Sequence, residues 1–215
     1  EPKAFMMDEP LGALDAEFRE HMAEELRALH DRMGATTVYV THDQLEAMQM
    51  GDKIVVMNHG VIEQFGTPQD IYDKPASMFV ADFIGSPPMN FLRFHGQVHP
   101  GASSVRMHHA DLVIPSAREP FEGDLVYGIR PEHISLTDES DSRGDVVAAE
   151  YLGTTQIVTV KTPGGDLKAR VPSGQTVRSG EQVGLTFNGM TATLFDNQSG
   201  RALRSELNEG VLAHV

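Results

Sequence analysis

Residues 4–15 read AFMMDEPLGALD, and this stretch joins a short apolar run to two adjacent carboxylates. The run at residues 4–7 has the length and composition of a buried strand. Asp8 and Glu9 follow it directly, and ligands of parallel α/β sheets gather at the carboxyl ends of the strands. An Asp at that edge can hold the magnesium of a nucleotide, and a neighbouring Glu can polarise an attacking water. Carboxylate pairs are also common in solvated loops, so the surrounding residues decide what this pair means.

The residues that follow predict a helix over residues 16–33. Asp15 can cap its start, and Gly34 can end it. Apolar side chains recur on one face at spacings of three and four, which is the pattern of an amphipathic helix. These are Phe18, Met22, Leu26, Leu29 and Met33.

Further along, strands and helices continue to alternate. The predicted elements are a strand at 37–40, a helix at 43–50 and a hairpin with strands at 53–57 and 61–65. Thr67, Pro68 and Asp70 supply a cap, a first-turn proline and an acid three residues after the cap, which predicts another helix. This alternation predicts a parallel α/β sheet for residues 1–87.

The pattern changes near residue 86. From residue 88 to 215, short β-rich runs are separated by closely spaced Gly, Pro, Asp and Ser. Clear runs lie at 112–114, 156–160, 183–187 and 192–195. This predicts an all-β barrel or sandwich for residues 88–215, with at most short helices.

Composition excludes several classes of protein. The formal net charge of −14 argues against a nucleic-acid partner, which clustered Lys and Arg would bind. There are no cysteines, so disulfides and thiolate-bound metals are excluded. No apolar run approaches the roughly 20 residues that span a bilayer. We therefore expect any membrane association to come through a protein partner.

With Thr41-His42-Asp43-Gln44 closing the second strand, the chain resembles the ABC ATPase family. The stretch at 4–10 is similar to the Walker B motif, residues 11–15 to the D-loop and residues 41–44 to the H-loop. The resemblance implies that Asp8 serves Mg²⁺, through water in the simplest case, and that Glu9 is the catalytic base. It also implies that His42 senses the γ-phosphate of ATP and that Asp15 faces a partner subunit across the nucleotide.

The family's phosphate-binding loop, GxxxxGK[ST], its Q-loop and its LSGGQ signature are absent from these 215 residues. The family places them before Walker B, so we expect the chain to be a C-terminal fragment that is inactive alone, from a full-length protein that is an ATPase. The strand of that loop lies between strands 37–41 and 53–57 in the family fold. We therefore expect an open gap there, a collapse of 53–57 onto 37–41, or an edge covered by a second molecule.

The second half resembles the sugar-importing branch of the family, which serves maltose, trehalose and glycerol 3-phosphate. The residues that carry the resemblance are Gly85-Ser86-Pro87, Met89-Asn90-Phe91, Gly128-Ile129-Arg130-Pro131-Glu132-His133 and Glu150-Tyr151-Leu152-Gly153. The resemblance implies an OB-like regulatory barrel of the transport-associated type. Despite the name of that fold, the acidic chain predicts no nucleic-acid role.

The leading hypothesis is a peripheral ATPase subunit on the cytoplasmic face of the membrane. It would form a homodimer or heterodimer of ATPase subunits and drive transmembrane permease subunits, with a possible regulatory protein on the β-domain. Two alternatives remain open at this point. One is an importer ATPase for an oxyanion, a metal or a polyamine, and the other is a chain that mainly regulates or dimerises.

Other conspicuous residues have structural interpretations. His108 and His109 are adjacent on a predicted strand, point to opposite faces and cannot share one metal ion. The five methionines between residues 22 and 57 are expected to fill the core. Arg130 and Glu132 are expected to fix a loop.

Overall fold

The computed structural model describes residues 3–107 and 110–211, so the predicted histidine pair at 108 and 109 lies outside the described residues. The helices are α1 (Ala16–Met33), α2 (Gln44–Met50), α3 (Pro68–Asp73) and α4 (Met78–Phe83). Among and before them lie β1 (Ala4–Asp8), β2 (Thr36–Val40), β3 (Ile54–Asn58) and β4 (Val61–Gly66). The later strands are β5 (Asn90–Val98), β6 (Ser104–Met107), β7 (Ala110–Val113), β8 (Phe121–Ile129), β9 (Ile134–Thr137), β10 (Arg143–Tyr151), β11 (Thr155–Thr162), β12 (Gly165–Pro172), β13 (Gln182–Phe187) and β14 (Thr193–Asp196).

The first two strands form a parallel pair that α1 connects. Their register runs from Ala4 opposite Thr36 to Asp8 opposite Val40, so both strands end at the same edge. Among the described residues, β2 pairs with β1 alone, and β3 and β4 form a separate antiparallel hairpin. Strand 53–57 has therefore not collapsed onto 37–41, and the parallel sheet predicted for residues 1–87 amounts to this one pair of strands among the described residues.

The bounds and caps of α1 agree with the sequence prediction. The Asp15 carboxylate accepts a hydrogen bond from the Phe18 amide at 3.0 Å, and Gly34 ends the helix in the left-handed conformation. The apolar face is less buried than its pattern suggests, because Phe18 is 62% exposed, and Leu29 and Met33 are exposed as well. Periodicity specifies which side chains share a face, but the elements packed against that face determine its burial.

The prediction that the methionines between residues 22 and 57 fill the core is confirmed only for Met48, which packs against the core of this region. Met33 and Met57 are exposed, and the other three, Met22, Met48 and Met50, are only partly buried. The core beneath β3, β4, α3 and α4 is built instead from branched aliphatic residues. Its buried members are Ile54, Val56, Ile71, Val80 and Ile84.

The predicted β-rich fold of the second half is confirmed. Within the described residues beyond 88 there are ten strands and two short 3₁₀ turns. A five-stranded antiparallel sheet in the order β12-β11-β10-β13-β9 and a three-stranded sheet in the order β14-β8-β5 share one apolar core. Leu125 and Tyr127 of β8 and Val158 and Val160 of β11 lie in that core and are fully buried.

A buried arginine joins the two halves. Arg130, 2% exposed, follows β8 and donates hydrogen bonds to the carbonyls of Tyr72, Ala81 and Ile84. Its guanidinium also stacks on the Tyr72 ring at 3.9 Å, and the Tyr72 hydroxyl donates to Glu132 at 2.6 Å. Arg130 and Glu132 therefore have the structural role predicted for them, and they fix the turn after α4 as well as their own loop.

Candidate functional site

The two carboxylates at the end of β1 are exposed at the edge where both parallel strands end. Asp8 is the last residue of the strand, and Glu9 follows it in a left-handed backbone conformation, with φ of 44°. The Glu9 amide donates to the Val40 carbonyl at 2.8 Å, and the Glu9 carbonyl accepts from the Gly12 amide at 3.2 Å. The turn at residues 9–12 is therefore tied to the end of β2.

His42 meets Glu9 at this edge. Its Nδ1 lies 2.9 Å from Oε1 of Glu9, although 33 residues separate the two in the chain. Both side chains are well exposed, at 75% and 50%. The hydrogen bond and the negative charge of Glu9 raise the pKa of His42 above that of an ordinary imidazole, because they stabilise the charged ring.

The structure brings two of the four predicted site residues into direct contact. Glu9 and His42 form the pair, and Asp8 adjoins Glu9 in the chain. The Asp15 carboxylate caps α1 through the Phe18 amide instead, and within residues 3–107 and 110–211 its side chain contacts no other predicted site residue. Asp15 is thus placed by the helix terminus, one turn beyond the Glu9 loop.

Behind His42 lies a polar network that the sequence interpretation missed. The Glu46 carboxylate of α2 is 5% exposed and accepts hydrogen bonds from the Tyr39 hydroxyl at 3.0 Å and from the Thr41 hydroxyl at 2.8 Å. Burial and the contact with Glu46 raise the pKa of Tyr39 well above its ordinary value. Arg19 of α1 approaches the same carboxylate at 3.9 Å.

Two sequence signals point to this network. Tyr39 and Thr41 are two residues apart on an extended segment and therefore face the same side. Glu46 lies three residues after Asp43, whose carboxylate caps α2, so it occupies the acidic position of a capping box. Neither signal identifies Arg19, whose partners lie across the fold.

The helix after His42 also contacts the junction between the two halves. The Gln44 side chain accepts from the Gly85 amide at 2.9 Å and donates to the Phe83 carbonyl. Arg130 holds the neighbouring Ile84 carbonyl from the other side. Residues 83–85 are therefore held by side chains from both halves of the chain.

The side chains at the carboxyl end of β1 and β2 supply only part of a site for a hard cation. No cluster of three or more His, Cys, Asp or Glu side chains that could hold a metal occurs among the described residues. Asp8 supplies one exposed carboxylate, and Mg²⁺ is commonly bound by one or two carboxylates together with waters and substrate phosphates. The residues thus fit a magnesium ion that arrives with a nucleotide, and they do not form a closed metal cage.

Two known domain families match parts of the second half of the chain. Residues 127–195 match the TOBE domain, and residues 85–134 match the MalK OB fold domain. Both matches agree with the two antiparallel sheets and their common core. No helix in the described part of the chain is long and apolar enough to cross a membrane.

Curated relatives match nearly the whole chain. The Trehalose/maltose import ATP-binding protein MalK of Thermococcus litoralis is 39% identical over 214 residues, covering 94% of this chain and 58% of its own length. The Lactose transport ATP-binding protein LacK of Rhizobium radiobacter is 42% identical, covering 95% of this chain and 59% of its own length. The sn-glycerol-3-phosphate import ATP-binding protein UgpC of Jannaschia sp. is also 42% identical, with 94% and 57% covered.

The relatives that match nearly the whole chain are named as ATP-binding proteins of ABC transporters. Several of them are named for import of trehalose and maltose, lactose or sn-glycerol 3-phosphate, and residues 85–134 of this chain match the MalK OB fold domain. The chain spans between 54% and 59% of the length of the relatives that it matches.

Proposed function

We propose that this chain is part of the ATP-hydrolysing subunit of an ABC importer for sugars or related solutes. The observation that carries the proposal is the contact between Glu9 and His42 at the end of the parallel strands. Relatives named as import ATP-binding proteins support it. In this proposal, residues 1–87 are the C-terminal part of a P-loop nucleotide-binding domain with a partial α/β sheet, and residues 88–215 are a regulatory barrel.

Glu9 and His42 divide the chemistry of ATP hydrolysis between them. Glu9 is the general base that takes a proton from the attacking water. His42 engages Oε1 of that carboxylate through Nδ1, so Oε2 is left to accept the proton. The opposite ring atom of His42, Nε2, is then available to a γ-phosphate oxygen, where a fixed donor stabilises the charge that develops during transfer.

Asp8 and Asp15 have supporting roles. Asp8 holds the magnesium ion of ATP, through water in the simplest arrangement, and that ion neutralises the phosphate charge when bound. Asp15, at the start of α1, faces the second ATPase subunit across the nucleotide. Its capping bond to Phe18 fixes its direction while leaving the side chain exposed.

The partners follow from the same proposal. Two ATPase subunits, identical or different, bind ATP between them and pass their closure to transmembrane permease subunits. The subunit is therefore peripheral, at the cytoplasmic face of the membrane. The barrel provides the surface for a regulatory protein. An importer for oxyanions, metals or polyamines is not favoured by the sugar and glycerol-3-phosphate relatives.

The decisive experiment is Glu9→Gln in the full-length subunit that carries this chain. The change keeps the shape of the side chain and removes the base, so turnover should fall by about 10²–10⁴, while ATP binding and dimer closure persist. ATPase rate, nucleotide binding and size-exclusion chromatography measure the three properties.

The matched control is Glu24→Gln, because Glu24 is an exposed carboxylate on α1 away from the strand edge. It should leave turnover unchanged. Near-normal turnover in Glu9→Gln would remove Glu9 from the role of base. A full-length subunit that dimerises but hydrolyses no ATP would favour the alternative of a regulatory or dimerisation chain.

A further inference from the structure

Arg19 lies where three segments around the site meet. It sits in the first turns of α1, and its Nη2 donates to the Leu14 carbonyl at 2.9 Å. Its Nη1 lies 3.5 Å from Oδ2 of Asp43, which caps α2. One guanidinium therefore joins residues 11–15, which lead into α1, to the residues that follow β2.

The same guanidinium faces the buried carboxylate of Glu46. The Arg19 Nε is 3.9 Å from Oε1 of Glu46 and is buried without a hydrogen-bond partner in the described structure. A buried carboxylate needs a nearby positive charge as well as hydrogen bonds. Among the described ion pairs, Arg19 is the cation that pairs with Glu46. The attraction between the two charges therefore holds the Arg19 guanidinium beside Glu46, although its Nε makes no hydrogen bond to the residues that the structure describes.

The residues on both sides of His42 are held by the Arg19–Glu46 pair and by each other. The residue before it, Thr41, donates its hydroxyl to Glu46 at 2.8 Å and accepts the Asp43 amide at 3.0 Å. The residue after it, Asp43, contacts Arg19 and accepts the amides of Leu45 and Glu46. The imidazole itself projects to Glu9, so its neighbours determine its position and Arg19 acts on those neighbours.

We infer that Arg19 is a positioning residue for the hydrolytic site, because it locks the Leu14–Asp15 segment to the His42 segment. This inference rests on the proposed roles of Glu9 and His42. One guanidinium thus links the residue before Asp15, which the proposed function places at the dimer interface, to the residue after His42.

The test compares Arg19→Met and Arg19→Lys with a matched control in the full-length subunit. Arg27 lies on the same helix and is equally exposed, at 35% of its side chain. It also bridges α1 to α2, by donating to the Met50 carbonyl at 2.9 Å and pairing with Asp52 at 3.0 Å. Arg27→Met removes a comparable bridge at the end of α2 that is remote from His42.

We expect Arg19→Met to lower kcat about ten- to hundredfold, because small misplacements of catalytic groups have effects of that size. The KM for ATP should change by less than about threefold, since Arg19 bonds to groups of the protein and not to ATP. The NMR titration midpoint of His42 should fall, because the ring no longer stays against Glu9. Arg19→Lys restores the charge opposite Glu46 but not the fork of hydrogen bonds, so it should recover part of kcat.

Arg27→Met should reduce the melting temperature without moving kcat or the His42 midpoint. If Arg19→Met behaves in the same way, or if both Arg19 variants keep full kcat and an unmoved His42 midpoint, the inference is overturned. His42→Ala and Glu9→Gln, measured in the same assay, distinguish a failure of the proposed function from a failure of the positioning role of Arg19. Full turnover in those two variants would refute the proposed function, whereas loss there with full kcat in Arg19→Met refutes only the positioning role. Should Arg19→Met not fold, the Arg19→Lys result decides.

Discussion

At the scale of single residues, the contact between Glu9 and His42 is the feature with the most direct chemical meaning. The pattern AFMMDEP, followed by Thr41-His42-Asp43, identified both residues from the sequence. The sequence could not predict that the two side chains lie 2.9 Å apart. That contact arises only when β1 and β2, which are distant in the chain, pair with each other. Arg19 was missed for the same reason, since its partners Asp43 and Glu46 lie beyond the other strand.

The His42–Glu9 contact has a consequence for pH. The Glu9 carboxylate raises the pKa of His42, so the imidazolium form persists to a higher pH than in a free imidazole. Glu9→Gln removes that charge, and the titration midpoint of His42 should therefore move down. An NMR pH titration of the histidine ring protons in this chain measures it. An unmoved His42 midpoint would show that the two side chains are apart in solution.

At the scale of elements, the starts of helices were predicted most reliably, because cap residues mark them. Asp15 and Thr67, the two predicted caps, each accept a hydrogen bond from the first turn of the helix that follows. Asp43 was predicted as the first residue of its helix and is its cap in the structure. Caps can be predicted because they depend on residues only two or three positions apart. The burial of Phe18 and Met33 could not be predicted, because it depends on which segments lie against α1.

The start of α3 offers a test at this scale. The Thr67 hydroxyl accepts the Asp70 amide at 3.1 Å and donates to the Asp70 carboxylate at 2.7 Å, and these bonds help to lower the pKa of Asp70. Thr67→Ala should lower the free energy of unfolding by about 1 kcal/mol. Urea unfolding monitored by circular dichroism measures this change.

Since Asp70 has a lowered pKa in the folded chain, its stabilising effect is present at neutral pH and is lost as the pH falls through that folded value. The difference between wild type and Thr67→Ala should therefore shrink in acid. Thr67→Ser keeps the hydroxyl and is the matched control, with unfolding close to that of wild type. An equal loss of stability in both variants would contradict the capping explanation.

At the scale of the whole molecule, Arg130 is one of the contacts that join the two halves, together with a buried cluster that contains Ala81 and Phe195. The sequence indicated that Arg130 was structural, but its partners at Tyr72, Ala81 and Ile84 lie 46 to 58 residues away. Local pattern cannot supply contacts of that range. The β-rich fold of the second half, by contrast, was predictable because turn residues and short β-rich runs recur along it.

Arg130→Met should weaken the attachment between the halves. The substitution removes the Arg130 donors from the carbonyls of Tyr72 and Ile84, and we expect a loss of about 3 kcal/mol in the free energy of unfolding. Differential scanning calorimetry should show a lower melting temperature and an earlier transition for the first half. Arg93→Met, an exposed arginine on β5 with one hydrogen bond to Asn197, is the control and should change little. Unaltered melting of Arg130→Met would mean that the junction is held by apolar packing instead.

The left-handed backbone of Glu9 has a consequence for the engineering of this protein. Glycine adopts φ of 44° readily, whereas other residues are disfavoured there by about 1–2 kcal/mol. Position 9 thus carries the proposed base on a backbone that glycine would suit better. A variant library selected for thermostability alone should therefore become enriched in Glu9→Gly, which is stable but lacks the proposed base. Any such selection on this subunit has to include a requirement for ATP turnover.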